Sequence, residues 1–198
     1  FNFTANQGLG NVNAFTGAVT GSGALSLTGA AVTVGTITSA GAVSATATTG
    51  DLTFGLITTA ASVNAKSTAG DVIFGAAVTT TSVAGFTSEA TLATKATKIA
   101  ALVSVTNGAN ALVTGNLVAT ADTAPEIRTA GTATISITGK VDGGAATNDL
   151  KLTALNGAIT IGGAVGGLIG GGLSYFRGDE PEMAVGGIVN RPTRAIVG

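Results

Sequence analysis

The chain has no cysteine, no histidine and no tryptophan, and each absence closes a route to function. Without cysteine there are no disulfide staples, no zinc–thiolate sites and no thiol nucleophile. Without histidine the commonest general base is missing. Charge is scarce as well. Only 10% of residues are charged, against roughly 25% in an ordinary soluble domain, and residues 1–50 carry no charge at all. The net charge of −1 leaves no basic field to gather nucleic acid. What fills the sequence instead is glycine, 31 of 198 residues, with Thr, Ser, Ala and aliphatics at a mean hydropathy of +0.53. That mixture suits a stacked β-structure with small polar residues outside, aliphatics inside and glycine at corners.

The arrangement of those residues is periodic. Every twentieth residue from Val12 reads Val12, Val32, Leu52, Val72, Leu92, Leu112, Thr132, Leu152. Local words recur with it: AAVTVG at 30–35, GDLTFG at 50–55 and GDVIFG at 70–75. A fixed period of this size predicts a β-solenoid in which each repeat is one coil. Within a coil the alternation is period two, as in Leu52-Thr53-Phe54 and Val32-Thr33-Val34, which puts alternate side chains on opposite faces of a strand. Two further apolar ranks, Val43, Val63, Val83, Val103 and Ile37, Ile57, Ala77, then Leu117 after a polar Thr97, imply several short strands per coil. Gly35, Gly55, Gly75 and Gly115 are expected at one corner, where a turn needs positive φ.

The predicted organisation is an all-β solenoid of about 20-residue coils with a Gly-rich C-terminal extension. Residues 1–15 form a lead-in or cap, 16–157 the repeats, 158–176 a Gly-rich apolar segment and 177–198 an extended tail. Two stretches strain the pattern. Residues 87–103 are Ala-rich with helical propensity, but Leu92 and Val103 keep their ranks, so strands are expected. Residues 121–144, with Pro125 and Thr132, are expected to leave the tower as a loop or protrusion. The segment 158–176 carries no charge and repeats glycine every four residues at Gly162, Gly166 and Gly170. It reads as a last buried coil, as a flexible linker, or as a helix packing in a membrane or homo-oligomeric bundle. Pro181 and Pro192 break helices and predict an extended tail. The sequence starts at Phe1 without a basic or cleavable leader pattern, which predicts a processed product or a segment of something longer.

Few residues suggest chemistry. Asp51 and Asp71 lie one coil apart, and paired carboxylates can do acid/base work; the plainer reading is that each follows a glycine and caps a tight corner. No GGxGxD word for calcium is present, and the Gly-rich run lacks the GK[ST] ending of a phosphate loop. A double rank of Thr suited to ice begins at Thr36 and Thr38, continues at Thr58 and Thr59, and fails at Ala76 and Val78. No catalytic, cofactor-binding or metal-ligating residue is therefore assigned, and no cofactor is expected.

Two resemblances add to this reading. The repeat body, with words such as NDLKLTALNGAITIGGAVGG at 148–167, resembles filamentous-haemagglutinin-type β-helix adhesins, which implies secretion and adhesion without catalysis. The stretch AVGGIVNRPTRAIVG at 184–198 is similar to a C-terminal segment of tailed-phage tape measure proteins, matching at Gly186, Gly187, Ile188, Val189, Pro192, Thr193, Val197 and Gly198. The second resemblance implies a non-enzymatic phage tail component in the virion. Its partners would be further copies of itself, as a trimer by analogy with phage tails, and tail tube or tip proteins. The alternative is a secreted bacterial surface adhesin or extracellular filament segment. No specific nucleic-acid partner is expected; membrane contact would run through 158–176.

Overall fold

The computed structural model describes residues 3–6, 12–21, 23–123, 125–145, 148–166, 173–177 and 183–184. Every regular element among them is a β-strand, and the strands join one parallel sheet that winds as a three-sided β-solenoid. The first face stacks Phe3–Asn6, Leu25–Gly29, residues 43–47, residues 63–67, Phe86–Ala90, Ala111–Thr114, Ile135–Ile137 and Ile159–Ile161. The second stacks residues 12–15, 31–34 and 52–54, then Val72–Phe74, Ala96–Ile99, Asn116–Ala119, Val141–Asp142 and Val165–Gly166. The third stacks residues 18–20, 36–40 and 56–60, then Val78–Thr80, Val103–Val105, Glu126–Thr129, Leu150–Ala154 and Leu173–Arg177. One short antiparallel strand, Met183–Ala184, pairs with Leu173–Arg177.

Period-two alternation builds the core. On the first face Val43, Val63, Phe86, Ala111 and Ile135 point inward and are buried; on the second, Val32, Leu52, Val72 and Leu117; on the third, Ile57, Val78, Val103 and Ile127. Each fully buried aliphatic contributes roughly 1.5–3 kcal/mol relative to exposure, and only the neighbouring coil can cover it, so no coil is stable alone. Phe54 stacks on Phe74 with centroids 5.4 Å apart, and Phe74 meets Phe86 from the first face at 5.2 Å.

The ranks of the sequence pattern hold only from about residue 32 to residue 75, and Val12 is already one position off, pairing with Ala31 while Asn13 pairs with Val32. Val32 pairs with Leu52 and Leu52 with Val72, but Val72 pairs with Thr97, which pairs with Leu117. Leu92 is instead 45% exposed in a corner, and Leu112 points outward from the first face. Thr132 is exposed in a turn, and Leu152 is buried on the third face, opposite Ile127. The second rank fails in the same way: Val83 is 80% exposed and Val103 sits on the third face opposite Val78. In the third, Ile57 pairs with Val78 rather than Ala77, and Leu117 belongs to the second face. The physical reason is corner length. Between third and first faces the corner grows from residues 41–42 and 61–62 to 81–85, 106–110 and 130–134. A count fixed at twenty then falls progressively out of register.

Residues 87–103 do form strands, although Leu92 plays no part in them. Residues 121–144 do not leave the tower: Glu126–Thr129, Ile135–Ile137 and Val141–Asp142 each continue one face. Pro125 sits just before a strand, where its missing N–H costs no ladder bond. The glycines divide too. Gly35, Gly55 and Gly75 share the second-to-third corner without positive φ, whereas Gly115 is at the first-to-second corner with φ 93°. Gly55 is needed for space: a Cβ there would lie 1.8 Å from the Gly35 carbonyl oxygen.

Strand pairing crosses the boundaries expected at 15 and 157. Phe3–Asn6 already belongs to the first face, and Ile159–Ile161, Val165–Gly166 and Leu173–Arg177 continue all three. The described part of the Gly-rich segment is thus another coil, with Gly166 in a strand. Gly170 and the word at 186–198 lie outside the described residues.

Candidate functional site

The first 121 residues contain six charged side chains: Asp51, Lys66, Asp71, Glu89, Lys95 and Lys98. All six fall on one edge of the solenoid. Asp51, Asp71 and Lys95 occupy the first-to-second corner, Lys66 and Glu89 lie one residue before the ends of the first-face strands beside it, and Lys98 lies on the second-face strand Ala96–Ile99. The backbone passes this edge once per turn, so residues far apart in sequence become neighbours there.

Asp51 and Asp71 are brought together, but as corner brackets. The Asp71 N–H donates to Asp51 Oδ1 at 2.8 Å. One coil on, the Ala96 N–H donates to Asp71 Oδ1 at 2.9 Å, while Lys98 Nζ donates to Asp71 Oδ2 at 2.7 Å with Lys95 Nζ at 4.0 Å. Burial pushes the Asp71 carboxyl up, but the Lys98 ammonium, the Ala96 N–H and Lys95 outweigh it and hold the group below its ordinary value. Both oxygens are engaged and the group stays ionised, so its chemistry is that of a fixed acceptor joining coils. Glu89 is similarly held low, first by its hydrogen bond from Lys66, an ion pair of 2.9 Å.

The same bracket recurs with asparagine. Asn116 Oδ1 accepts the Lys140 N–H at 3.1 Å while its Nδ2 donates to the Ala93 and Lys95 carbonyls. At the third-to-first corner, Asn110 Oδ1 accepts both the Thr134 N–H and its hydroxyl. These asparagines do not stand out in the sequence. Their signal is an Asn at the start of a strand, Asn110 just before Ala111–Thr114 and Asn116 opening Asn116–Ala119, bonding 24 residues onward, and a period of twenty hides that spacing.

A second charged cluster, equally hidden in the sequence, sits on the outer side of the third face. Arg128 grips Glu126 through two bonds, Nε to Oε1 at 3.1 Å and a terminal nitrogen to Oε2 at 2.9 Å. The Thr153 hydroxyl donates to Oε1 at 2.6 Å, and Lys151 Nζ lies 3.8 Å away. Burial raises the Glu126 carboxyl, and Arg128, Thr153 and Lys151 together bring it below its ordinary value. A forked Arg–carboxylate pair is geometrically specific; here it fixes Glu126 along its own strand, and the Thr153 bond to the same carboxylate joins that strand to its third-face neighbour.

The hydroxyl rank that fails on a count of twenty continues in space. Val78 is the partner of Ile57, so Thr58 and Thr59 lie opposite Thr79, followed by Ser104. It ends at Arg128, and Leu56 interrupts it at 40% exposure. Among the described residues no group of three or more Asp or Glu is placed to hold a metal ion, and no helix is long and apolar enough to cross a membrane. No protein-family model, curated protein or solved structure matches the sequence.

Proposed function

We propose that this is a non-enzymatic structural protein whose solenoid acts as a stiff, low-charge rod, and that it serves as a phage tail component related to tape measure proteins. The observation that carries the mechanical role is the use of polar side chains. The carboxylates of Asp51, Asp71 and Glu126 and the amides of Asn110 and Asn116 each engage a neighbouring coil. Groups committed to holding coils together resist bending and are poorly placed to turn over a substrate. The tail assignment rests on the GGIV and PT words between Gly186 and Thr193. Self-association and contact with tube or tip proteins belong to this reading.

The alternative, a surface adhesin or extracellular filament segment, is favoured by one observation: the body is a parallel β-solenoid with no helix among its described residues, as its resemblance to haemagglutinin-type adhesins implies. Localisation separates the two. Antibodies raised against the 198-residue protein should label purified phage tails, with three-fold density inside or below the tail tube. Labelling of intact bacterial surfaces, with virions unlabelled, would discard the tail reading in favour of the adhesin.

A further inference from the structure

The word Asn-Gly-Ala occurs twice at the third-to-first corner, at 107–109 and 156–158, and the fold treats the copies differently. Asn107 and Gly108 are exposed and both have positive φ, 57° and 70°; the Ala109 N–H closes the turn onto the Thr106 carbonyl at 3.2 Å. This is the Asn-Gly form of a type I′ turn. Nothing lies within 4 Å of the point where a Cβ on Gly108 would be. The Asn107 amide nitrogen, Nδ2, donates to the Thr81 carbonyl of the coil below.

At the second copy Asn156 is exposed but Gly157 is buried. A Cβ on Gly157 would stand 1.8 Å from the Ala133 carbonyl oxygen and 3.0 Å from that of Thr132, and the Asn156 N–H is bonded to the Gly131 carbonyl at 2.9 Å. The peptide between Asn156 and Gly157 is wedged against the coil below. It cannot rotate unless that corner of the stack lifts.

We propose that Asn107 is a site of spontaneous deamidation and that Asn156 is protected from it. The Gly108 backbone nitrogen attacks Cγ of Asn107, forming a new bond and a five-membered imide. The bond between Cγ and Nδ2 breaks, and that nitrogen leaves as ammonia with the proton lost from the Gly108 amide. Water then opens the imide at either carbonyl, giving aspartate or isoaspartate. Glycine permits the attack because no Cβ obstructs the approach or the rotation it needs. Opening at Asn107 breaks one exposed bond to Thr81 and a two-residue turn, and Thr106 stays anchored through its N–H and hydroxyl to the Thr80 carbonyl. The reaction therefore proceeds from a local opening, whereas at Asn156 it requires a larger one. The product carboxylate would face the Thr81 carbonyl without the donor that bridged them and would loosen the corner.

The test is ageing of the full-length protein in mildly alkaline buffer at body temperature, followed by peptide mapping with isoaspartate-specific detection. Conversion at Asn107 should outpace that at Asn156 by on the order of tenfold, since a modest difference in local opening free energy suffices for that ratio. In strong urea, where both words are free, the ratio should collapse toward one. Asn107→Gln, whose longer side chain disfavours the five-membered ring, should remove the first signal and leave the second unchanged. Equal rates in the folded protein, faster conversion at Asn156, or no conversion at Asn107 while the urea-treated protein converts would each overturn the proposal.

Discussion

Residues 31–75 and residues 78–166 build the same three faces by different means. In the earlier region two strands, Ala31–Ala47 and Leu52–Ser67, run unbroken around the corners. Their corners are one or two residues, such as Gly35 and Gly55 or residues 41–42 and 61–62, so backbone pairing with the next coil hardly lapses. In the later region the strands are short and separated by true turns, and every positive φ among the described residues falls there, from Gly85 to Gly144. The earlier region makes its bends by close backbone contact alone, which demands absent side chains; the later one keeps such contacts at Gly139 and Gly157 and adds turn residues, which demand special dihedrals. The lesson is that coil length is not a property of the solenoid core. The inward ranks persist while the corners absorb insertions, as loops do in other folds.

The largest effect should come from testing that contrast at two glycines of one corner. Gly55→Ala places a methyl where the Gly35 carbonyl already lies, with both atoms in backbone that is paired on either side. Gly75→Ala meets the Phe54 carbonyl oxygen at an ordinary 3.6 Å. Urea unfolding should show Gly55→Ala losing about 3 kcal/mol, in the range of forced overpacking, with Gly75→Ala within about 0.5 kcal/mol of the parent. Equal losses would mean that the tight corners relax as readily as the long ones.

Next in size is the bracket where the two regions meet. Asp71 closes the 20-residue step from Leu52 to Val72 and, through Ala96 and Lys98, opens the 25-residue one from Val72 to Thr97. Asp71→Asn keeps the shape but removes the charge, and should cost about 1–2 kcal/mol at neutral pH for charge-assisted bonds to a largely buried oxygen, with the share from the half-exposed lysines discounted. The pH dependence has a defined sign. The folded pKa is lowered, so in the acidic window the unfolded state holds more protons and stability rises with pH. Its contribution is complete above the unfolded value of about 4 and is lost as pH falls through the lower folded value. Thermal unfolding across that window should show a shallower acid decline in Asp71→Asn than in the parent.

A smaller effect, of opposite sign, is expected at Thr80. It is fully buried on the third face between Ala60 and Val105, and its hydroxyl has no hydrogen-bond partner. By contrast the buried Ser88 and Thr97 hydroxyls bond each other at 2.7 Å across the same coil. Thr80→Val keeps the volume and removes the unpaired oxygen, so it should raise stability by about 1 kcal/mol. Ser88→Ala should lower it by a similar amount, because Thr97 is then left alone. A loss at Thr80→Val would show that its hydroxyl is satisfied in solution.

How much of this was legible in the sequence follows from the same contrast. The all-β solenoid, its inward alternation and the pairing of Val32, Leu52 and Val72 could be read directly, because corners of fixed length keep period and register locked together. Beyond Phe74 the aliphatic density stays high enough that a twenty-residue count still lands on apolar residues. Leu92 and Leu112 satisfied the pattern while facing solvent. The true successor of Val72 is a threonine, Thr97, buried against Ser88, and a search for aliphatics passes over it. The corner role of Asp51 and Asp71 was legible because each follows a glycine; Glu126 and Arg128 became a pair only once residues 121–144 proved to be strands.

The smallest expected effect is the sharpest probe of register. If coils of twenty continued past residue 75, Leu92 would be a core position, and truncating it would cost the roughly 2–5 kcal/mol of a buried leucine. In the observed register it is a half-exposed corner residue whose neighbours Ala93 and Lys95 are held through their carbonyls by Asn116. Leu92→Ala should therefore change stability by less than about 0.5 kcal/mol. Leu117→Ala, at the position that the lengthened coil does bury, should show the full cost of an emptied core site. The two leucines have the same side chain and lie on successive coils, so composition cannot separate them. Only the length of the intervening corners decides which one the stack encloses.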